Sequence, residues 1–217
     1  FSRLVFGAKH RYGTSAMGNQ ASNGEMTASD LRSFYTSFYQ PQHAHLIVVG
    51  DVTADTLLPK LEKACGGWKN GATVSKPAIE ASAQHGARQI YLIDKPGAAQ
   101  SQIRIGWIGV PRATPDYYPL TVVNTVLGGS FSSRLNQNLR EQHGYAYGAS
   151  SAFDMRQSAG PFLAAAGVQS DKTTESLQEF FKELTNIRQP IPAAELTRAK
   201  NYEALGKEAL SPEEMAQ

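Results

Sequence analysis

Apolar residues recur along this chain with two periods, and each change of period marks out an element. "MTASDLRSFYTSFYQP" carries Leu31, Phe34, Tyr35 and Phe38 at helical spacing, with Thr27 as a cap and Gln40-Pro41 as a stop. "HAHLIVVGD" is short and rich in β-branched residues, and predicts a buried strand over 45–50 closed by Gly50-Asp51. "TADTLLPKLEKACGGW" returns to the helical period, with Pro59 as a blemish, and ends at Gly66-Gly67. Residues 1–26, rich in Gly, Ser and Asn, read as loop with little regular structure. Residues 69–88 are small and polar without a period, and make the best linker.

The second half opens with two strand signals, "RQIYLID" and "SQIRIGWIGV", the latter alternating Ile103, Ile105 and Trp107 on one face. "PDYYPLTVVNTVLGG" predicts a helix that tolerates Pro119 near its first turn. "SFSSRLNQNLREQ" predicts another, with Phe131, Leu135 and Leu139 as an i, i+4, i+8 stripe. "YAYGASSAFDM" and "GPFLAAAGVQ" read as neighbouring strands joined by a turn around 157–160. Asp171 then caps a long helix carrying Leu177, Phe180, Phe181, Leu184 and Ile187, and a last helix runs from about Ala193 to Lys207. Two strand pairs, each followed by two helices, predict an α+β fold: mostly antiparallel sheet with helices packed on one side.

Composition narrows the function more than the fold. A chain of 217 residues holds one large domain or two small ones. Its 21 basic and 19 acidic residues leave a charge of +2 with no long run of either sign, so nucleic acid is not expected as a partner. The longest apolar runs fall short of the roughly 18–20 residues of a membrane span. Cys65 is alone, which excludes an internal disulfide and a cysteine-based zinc cluster. Ser211, Pro212, Glu213 and Glu214 announce a helix that the last residues do not deliver, so a piece of a longer protein is expected.

No hydrolytic centre is legible. Gly128-Gly129-Ser130 lacks the spaced glycines and Lys-Ser/Thr of a phosphate loop, and "GGSFS" is not a serine nucleophile elbow; capping by Ser130 or Ser132 is the better account. His43 and His45 would share a strand face but have no third ligand in evident reach, so no metal site is expected. His10, His85 and His143 have no visible acid or serine partner, and neither His-Glu-x-x-His nor His-x-x-Glu-His occurs.

Three segments, in this order and spacing, carry a resemblance. "FGAKHRYG" resembles a His-Pro-Tyr-Gly stretch, with Arg11 in place of the proline. "YQPQHAHLIVVGDV" with "LEKACGGW", and "LGGSFSSRLNQNLREQHGYAYGASS", resemble the end of a first domain and the most recognisable motif of a second. The chain thereby resembles the pitrilysin and insulin-degrading-enzyme group of zinc peptidases, which includes the mitochondrial processing peptidases, and is most similar to the short bacterial members. The resemblance implies two similar α/β domains closing around an unfolded peptide, the first holding zinc through ligands upstream of the His-Pro-Tyr-Gly stretch. It implies that 1–72 is the tail of that zinc domain, 73–88 a linker, and 89–217 a non-catalytic second domain truncated at its end.

The same resemblance implies that Arg140 and Tyr147, seven residues apart, reach across the cleft and donate to the substrate where charge grows on a carbonyl oxygen. Tyr145 is the competitor, two residues away and expected on the same face; a helix C-terminal charge is the structural alternative for Arg140. Gly128-Gly129 is expected as an elbow needing glycine backbone angles. Strand 149–153, with Ala149, Ser150 and Ser151, is expected to add its edge to an extended peptide. Strand 45–50 is expected to fill the vacant place in the second-domain sheet, as in a circular permutant; open edges would otherwise favour a homodimer.

The expected function is thus the substrate-binding, non-catalytic part of a zinc endopeptidase, inactive alone, with zinc and a zinc-bearing domain or subunit as its complements. The alternative is an inert structural subunit of the same fold. An independent hydrolase is the least supported, because no acid–base–nucleophile set appears. Bacterial relatives of this kind are often exported, so the periplasm or cell envelope is expected from resemblance alone.

Overall fold

Nine-residue β1 (Gln100–Ile108) and β3 (Pro161–Gln169) pair antiparallel, and β2 (Ala146–Phe153) pairs antiparallel with the other side of β3, so the sheet order is β1-β3-β2. The computed structural model describes residues 1–71, 75 and 77–208. Its helices are α1 (Ser2–Phe6), α2 (Gln20–Glu25), α3 (Ala28–Phe38), α4 (Ala54–Cys65), α5 (Tyr117–Asn124), α6 (Arg134–Asn136), α7 (Thr173–Asn186) and α8 (Ala193–Glu208). Two π-helical segments, Thr125–Gly129 and Gln137–Gln142, continue α5 and α6. The chain forms two compact units, one of Phe1–Thr14 with Ile79–Leu205, the other spanning Ser15–Ala78.

In the larger unit the register assigns the two sheet faces. Ile103 sits opposite Ala166, Ile105 opposite Ala164 and Trp107 opposite Phe162, so the alternation legible in the sequence is realised. Phe162, Ala164, Ala166 and Val168 of β3 are buried on that face, together with Leu135, Leu139 and Phe180 from the helices. On α7, Leu177, Phe180, Leu184 and Ile187 turn inward, while Phe181, one step (100°) round the helix, stays 41% exposed. Full burial of Phe180 contributes about 1.5–3 kcal/mol. This is the α+β arrangement expected: antiparallel sheet with helices on one side.

The opposite face is covered at one end by the chain's first residues, which are not loop as the composition predicts. α1 and a 3-10 turn at Arg11–Gly13 bring Phe6 and Tyr12 against Ile108. Ser158 N donates to the Tyr12 hydroxyl (3.0 Å), and the Arg156 guanidinium lies 4.7 Å from the Tyr12 ring centre. The polar stretch reaches the same place: His85 Nε2 bonds the Leu4 carbonyl (3.0 Å), and Gln84 bonds the backbone of Ile108.

In the smaller unit, Thr27 and Asp30 form a capping box on α3, and Thr53 with Thr56 forms one on α4. The predicted strand 45–50 is absent. Residues 44–49 have no regular structure, and Leu46, Ile47, Val48 and Val49 are 44–64% exposed. Among the described residues the sheet has three strands, β1, β3 and β2. Residues 90–93, the first strand signal of the second half, are likewise outside the sheet, with Ile90, Leu92 and Ile93 at 84–95% exposure. The physical reason is common: β-branched periodicity records fitness for a pleated, half-buried surface, but a strand exists only where a neighbour supplies hydrogen bonds.

Candidate functional site

The site is built around the end of β2 and the two π-helical segments. Gly128 packs against β2 so closely that a Cβ there would lie within contact distance of Ser151 N, 2.5 Å from Ser151 Oγ and 2.8 Å from the Ser150 carbonyl carbon. Neither Gly128 nor Gly129 has a positive φ, so the glycines serve close approach and not the special backbone angles expected. Asn124 Nδ2 donates to the Ser151 carbonyl (3.0 Å), and Ser151 Oγ donates back to Asn124 Oδ1 (2.8 Å). Asn136 receives the Ala149 amide on Oδ1 (3.2 Å) and donates from Nδ2 to the Phe131 carbonyl (2.7 Å).

These bonds occupy the side of β2 away from β3. Ala149 and Ser151 are buried, and an extended peptide adding to this edge would have to displace both asparagines. Ser150 is exposed and remains accessible.

Arg140 lies in the segment Gln137–Gln142, where the chain is wound in wider turns: His143 N donates to the Asn138 carbonyl five residues back (3.1 Å). Asn138, only 3% exposed, holds this segment to α7 by donating from Nδ2 to Glu179 Oε2 (2.7 Å) and Glu183 Oε1 (2.8 Å). Hydrogen bonds from Lys182 and then Asn138 hold the Glu179 carboxyl below its ordinary 4.5. The Arg140 guanidinium carbon sits 4.4 Å from the Phe131 ring centre and 5.4 Å from that of Tyr147, with Glu141 Oε1 3.4 Å from Nη1. Both rings are solvent-facing, Phe131 at 67% and Tyr147 at 87%.

A β-bulge separates the two tyrosines. Ala146 is opposite Val168 and Ala149 opposite Ala166, three steps on β2 against two on β3. Tyr145, ahead of the bulge, packs against the core and stacks on His143 (4.9 Å), whereas Tyr147 stands out in solvent beside Arg140. They do not share an environment as simple alternation predicts. Phe131 also departs from expectation: α6 begins only at Arg134, so Leu135 and Leu139 are fully buried and Phe131 falls outside the helical stripe. Asp171 lies in a 3-10 turn ahead of α7 and does not cap it.

The residues present do not fit a zinc ion. Among the described residues no group of three His, Cys, Asp or Glu side chains could hold a metal, and His43 closes a 3-10 turn instead of sharing a strand face with His45. What the site offers is hydrogen-bond donation from a guanidinium fork and a phenol, framed by aromatic surface.

Residues 25–203 match the peptidase M16 inactive domain, and the chain belongs to that family. It is 28% identical over 205 residues to the uncharacterized zinc protease YmxG of Bacillus subtilis, across 92% of this chain and 47% of the relative. It is 26% identical over 193 residues to the zinc protease PqqE of Helicobacter pylori, across 88% of this chain and 43% of the relative. The chain thus spans about half the length of these relatives. The crystal structure of a peptidase M16 inactive domain from Pseudomonas fluorescens has the same fold, with a TM-score of 0.84 at 24% identity over 97% of this chain and 50% of that one.

Proposed function

We propose that this chain forms the substrate-holding, non-catalytic part of a zinc endopeptidase that cleaves unfolded peptides. In this reading 1–72 continues a zinc-bearing domain, 89–217 is the opposing domain, and zinc is held outside the residues described here, in the same protein or a partner subunit. Zinc would supply the polarising charge at the scissile carbonyl; Arg140 and Tyr147 would donate to carbonyl oxygens of the bound peptide. Ser150, the exposed member of 149–151, would line the same strip.

The observation that carries the reading is the approach of Arg140 to Tyr147, 5.4 Å from guanidinium carbon to ring centre, with Tyr147 exposed and Arg140 half-buried beside it. Among the described residues Glu141 is the charged partner of Arg140, and at 3.4 Å it takes only one edge of the fork. A guanidinium serving only the helix dipole does not require a phenol turned out beside it at a bulge.

The test combines this chain with a zinc-bearing domain of the family and follows cleavage of an unstructured fluorogenic peptide. Arg140→Ala and Tyr147→Phe are each expected to lower kcat by about 100-fold with KM changing less, since a donor to developing charge acts on the transition state. Full activity in both variants would sink the donor role of Arg140 and Tyr147, and no cleavage by the parent chain in this combination would leave an inert structural subunit as the account of this fold.

A further inference from the structure

Phe131 is the side chain in this site that the reading above leaves unused. It is 67% exposed, whereas Val126 and Leu127, in the same elbow, are each 4% exposed. It is also held in place. Its carbonyl accepts from Asn136 Nδ2 (2.7 Å), and Asn136, itself 5% exposed, accepts the Ala149 amide (3.2 Å), two residues from Tyr147. One asparagine therefore ties the backbone under Phe131 to the strand under Tyr147, and Arg140 lies over both rings at 4.4 and 5.4 Å. An exposed ring on an anchored backbone, set beside a guanidinium and a phenol, is the construction of a binding subsite, because the backbone under it has little ordering entropy left to lose on binding.

We infer that Phe131 is a specificity-determining residue. With the stacked face of Arg140 and the ring of Tyr147 it forms a ledge that takes a large apolar side chain, aromatic or aliphatic, of an extended peptide. The inference rests on the peptidase reading for its substrate class. The chemistry selects against other side chains: a basic residue would meet Arg140, and an acidic one would compete for the fork that the peptide carbonyl needs. Phe131 thereby gives Arg140 a neighbour that reads sequence, where Arg140 itself reads only backbone.

The experiment uses the 217-residue chain and two fluorescein-labelled unstructured peptides that differ at one position, Phe in one and Ser in the other. Binding is read by anisotropy. The chain is expected to prefer the Phe peptide by about 10-fold, the lower end of what one apolar contact discriminates. Phe131→Ser should abolish the preference, Phe131→Leu should keep most of it, and Arg140→Ala should weaken both peptides alike. Equal weakening of both peptides by Phe131→Ser would overturn the inference, because Phe131 would then only orient Arg140. An unchanged preference in Phe131→Ser, or none in the parent chain, would overturn it too. Cleavage in the combined enzyme separates the two ideas: loss on Arg140→Ala with no Phe preference removes the ledge and keeps the peptidase reading. Preference without any effect of Arg140→Ala on cleavage does the reverse.

Discussion

Replacing Gly128 with alanine tests the account of the elbow at one atom. The added Cβ would sit 2.5 Å from Ser151 Oγ and 2.8 Å from the Ser150 carbonyl carbon, with Ser151 N also inside contact distance. Relief to an ordinary separation of about 3.5 Å requires the elbow and β2 to part by roughly 1 Å. The obstructing atoms include strand backbone held in the β2–β3 ladder, so no side-chain rotation provides it. Parting them strains the two Asn124–Ser151 bonds at 3.0 and 2.8 Å. Overpacking typically costs about 1–3 kcal/mol and each weakened bond roughly 0.5–1.5. Against this, alanine returns about 0.4–1 kcal/mol by restricting the unfolded chain. The net is a loss of about 1–5 kcal/mol, centred near 3, which corresponds to a Tm lower by roughly 10 °C. Gly148→Ala is the control, since its Cβ would meet only Asn136 Oδ1, at 3.7 Å, and it should shift Tm by no more than about 2 °C. Thermal unfolding followed by circular dichroism checks both. If Gly128→Ala melts together with Gly148→Ala, glycine at 128 is not there for close approach, and the packing argument fails.

Two further outcomes follow from the ion pairs. Arg134 meets Glu195 through two bonds (Nε–Oε1 2.9 Å, Nη2–Oε2 2.6 Å), and the hydrogen bond to Arg134 keeps the Glu195 carboxyl below 4.5. A depressed carboxyl contributes stability above its unfolded value that is lost as pH falls through the folded one. Glu195→Gln should therefore cost about 1–2 kcal/mol at pH 7, and its gap from the parent should close below about pH 4.5; urea titrations with an unchanged gap at pH 3 would contradict this. Asn138→Asp places a third carboxylate against Glu179 and Glu183, where Nδ2 now bridges them at 2.7 and 2.8 Å. It should destabilise by about 2–4 kcal/mol at pH 7 and recover partly at pH 5, as the crowded acids share a proton; an equal penalty at both pH values would refute the clamp.

What the sequence made legible was whatever local pattern alone decides. Thr27 caps its helix because the capping box is a four-residue affair, and Ile103, Ile105 and Trp107 share one face of β1, with Ile103 buried, Ile105 half-buried and Trp107 at the exposed end. Arg140 and Tyr147 were legible through family spacing, and the structure brings them together. Where the outcome turned on a partner distant in sequence, pattern misled. The signals at 45–50 and 88–94 have the right composition, but among the described residues neither forms a strand. The Gly128–Ser151 approach is a contact across 23 positions with no local signature, so the glycine pair invited an explanation from backbone angles.

The bulge in β2 shows the same principle at the site itself. Strict alternation would give Tyr145 and Tyr147 equal claims, as both lie at odd positions flanking Ala146. One extra residue between Ala146 and Ala149 breaks the equivalence: it lets Ala146 and Ala149 both face the core, with Tyr147 outward beside Arg140. The choice between two identical side chains thus rests on register with β3, which neither tyrosine's neighbours reveal. Deleting Gly148 would remove the bulge and leave Tyr147 directly between the core-facing Ala146 and Ala149, still on the outer face, so what the extra residue decides is that two alanines three positions apart share the core face.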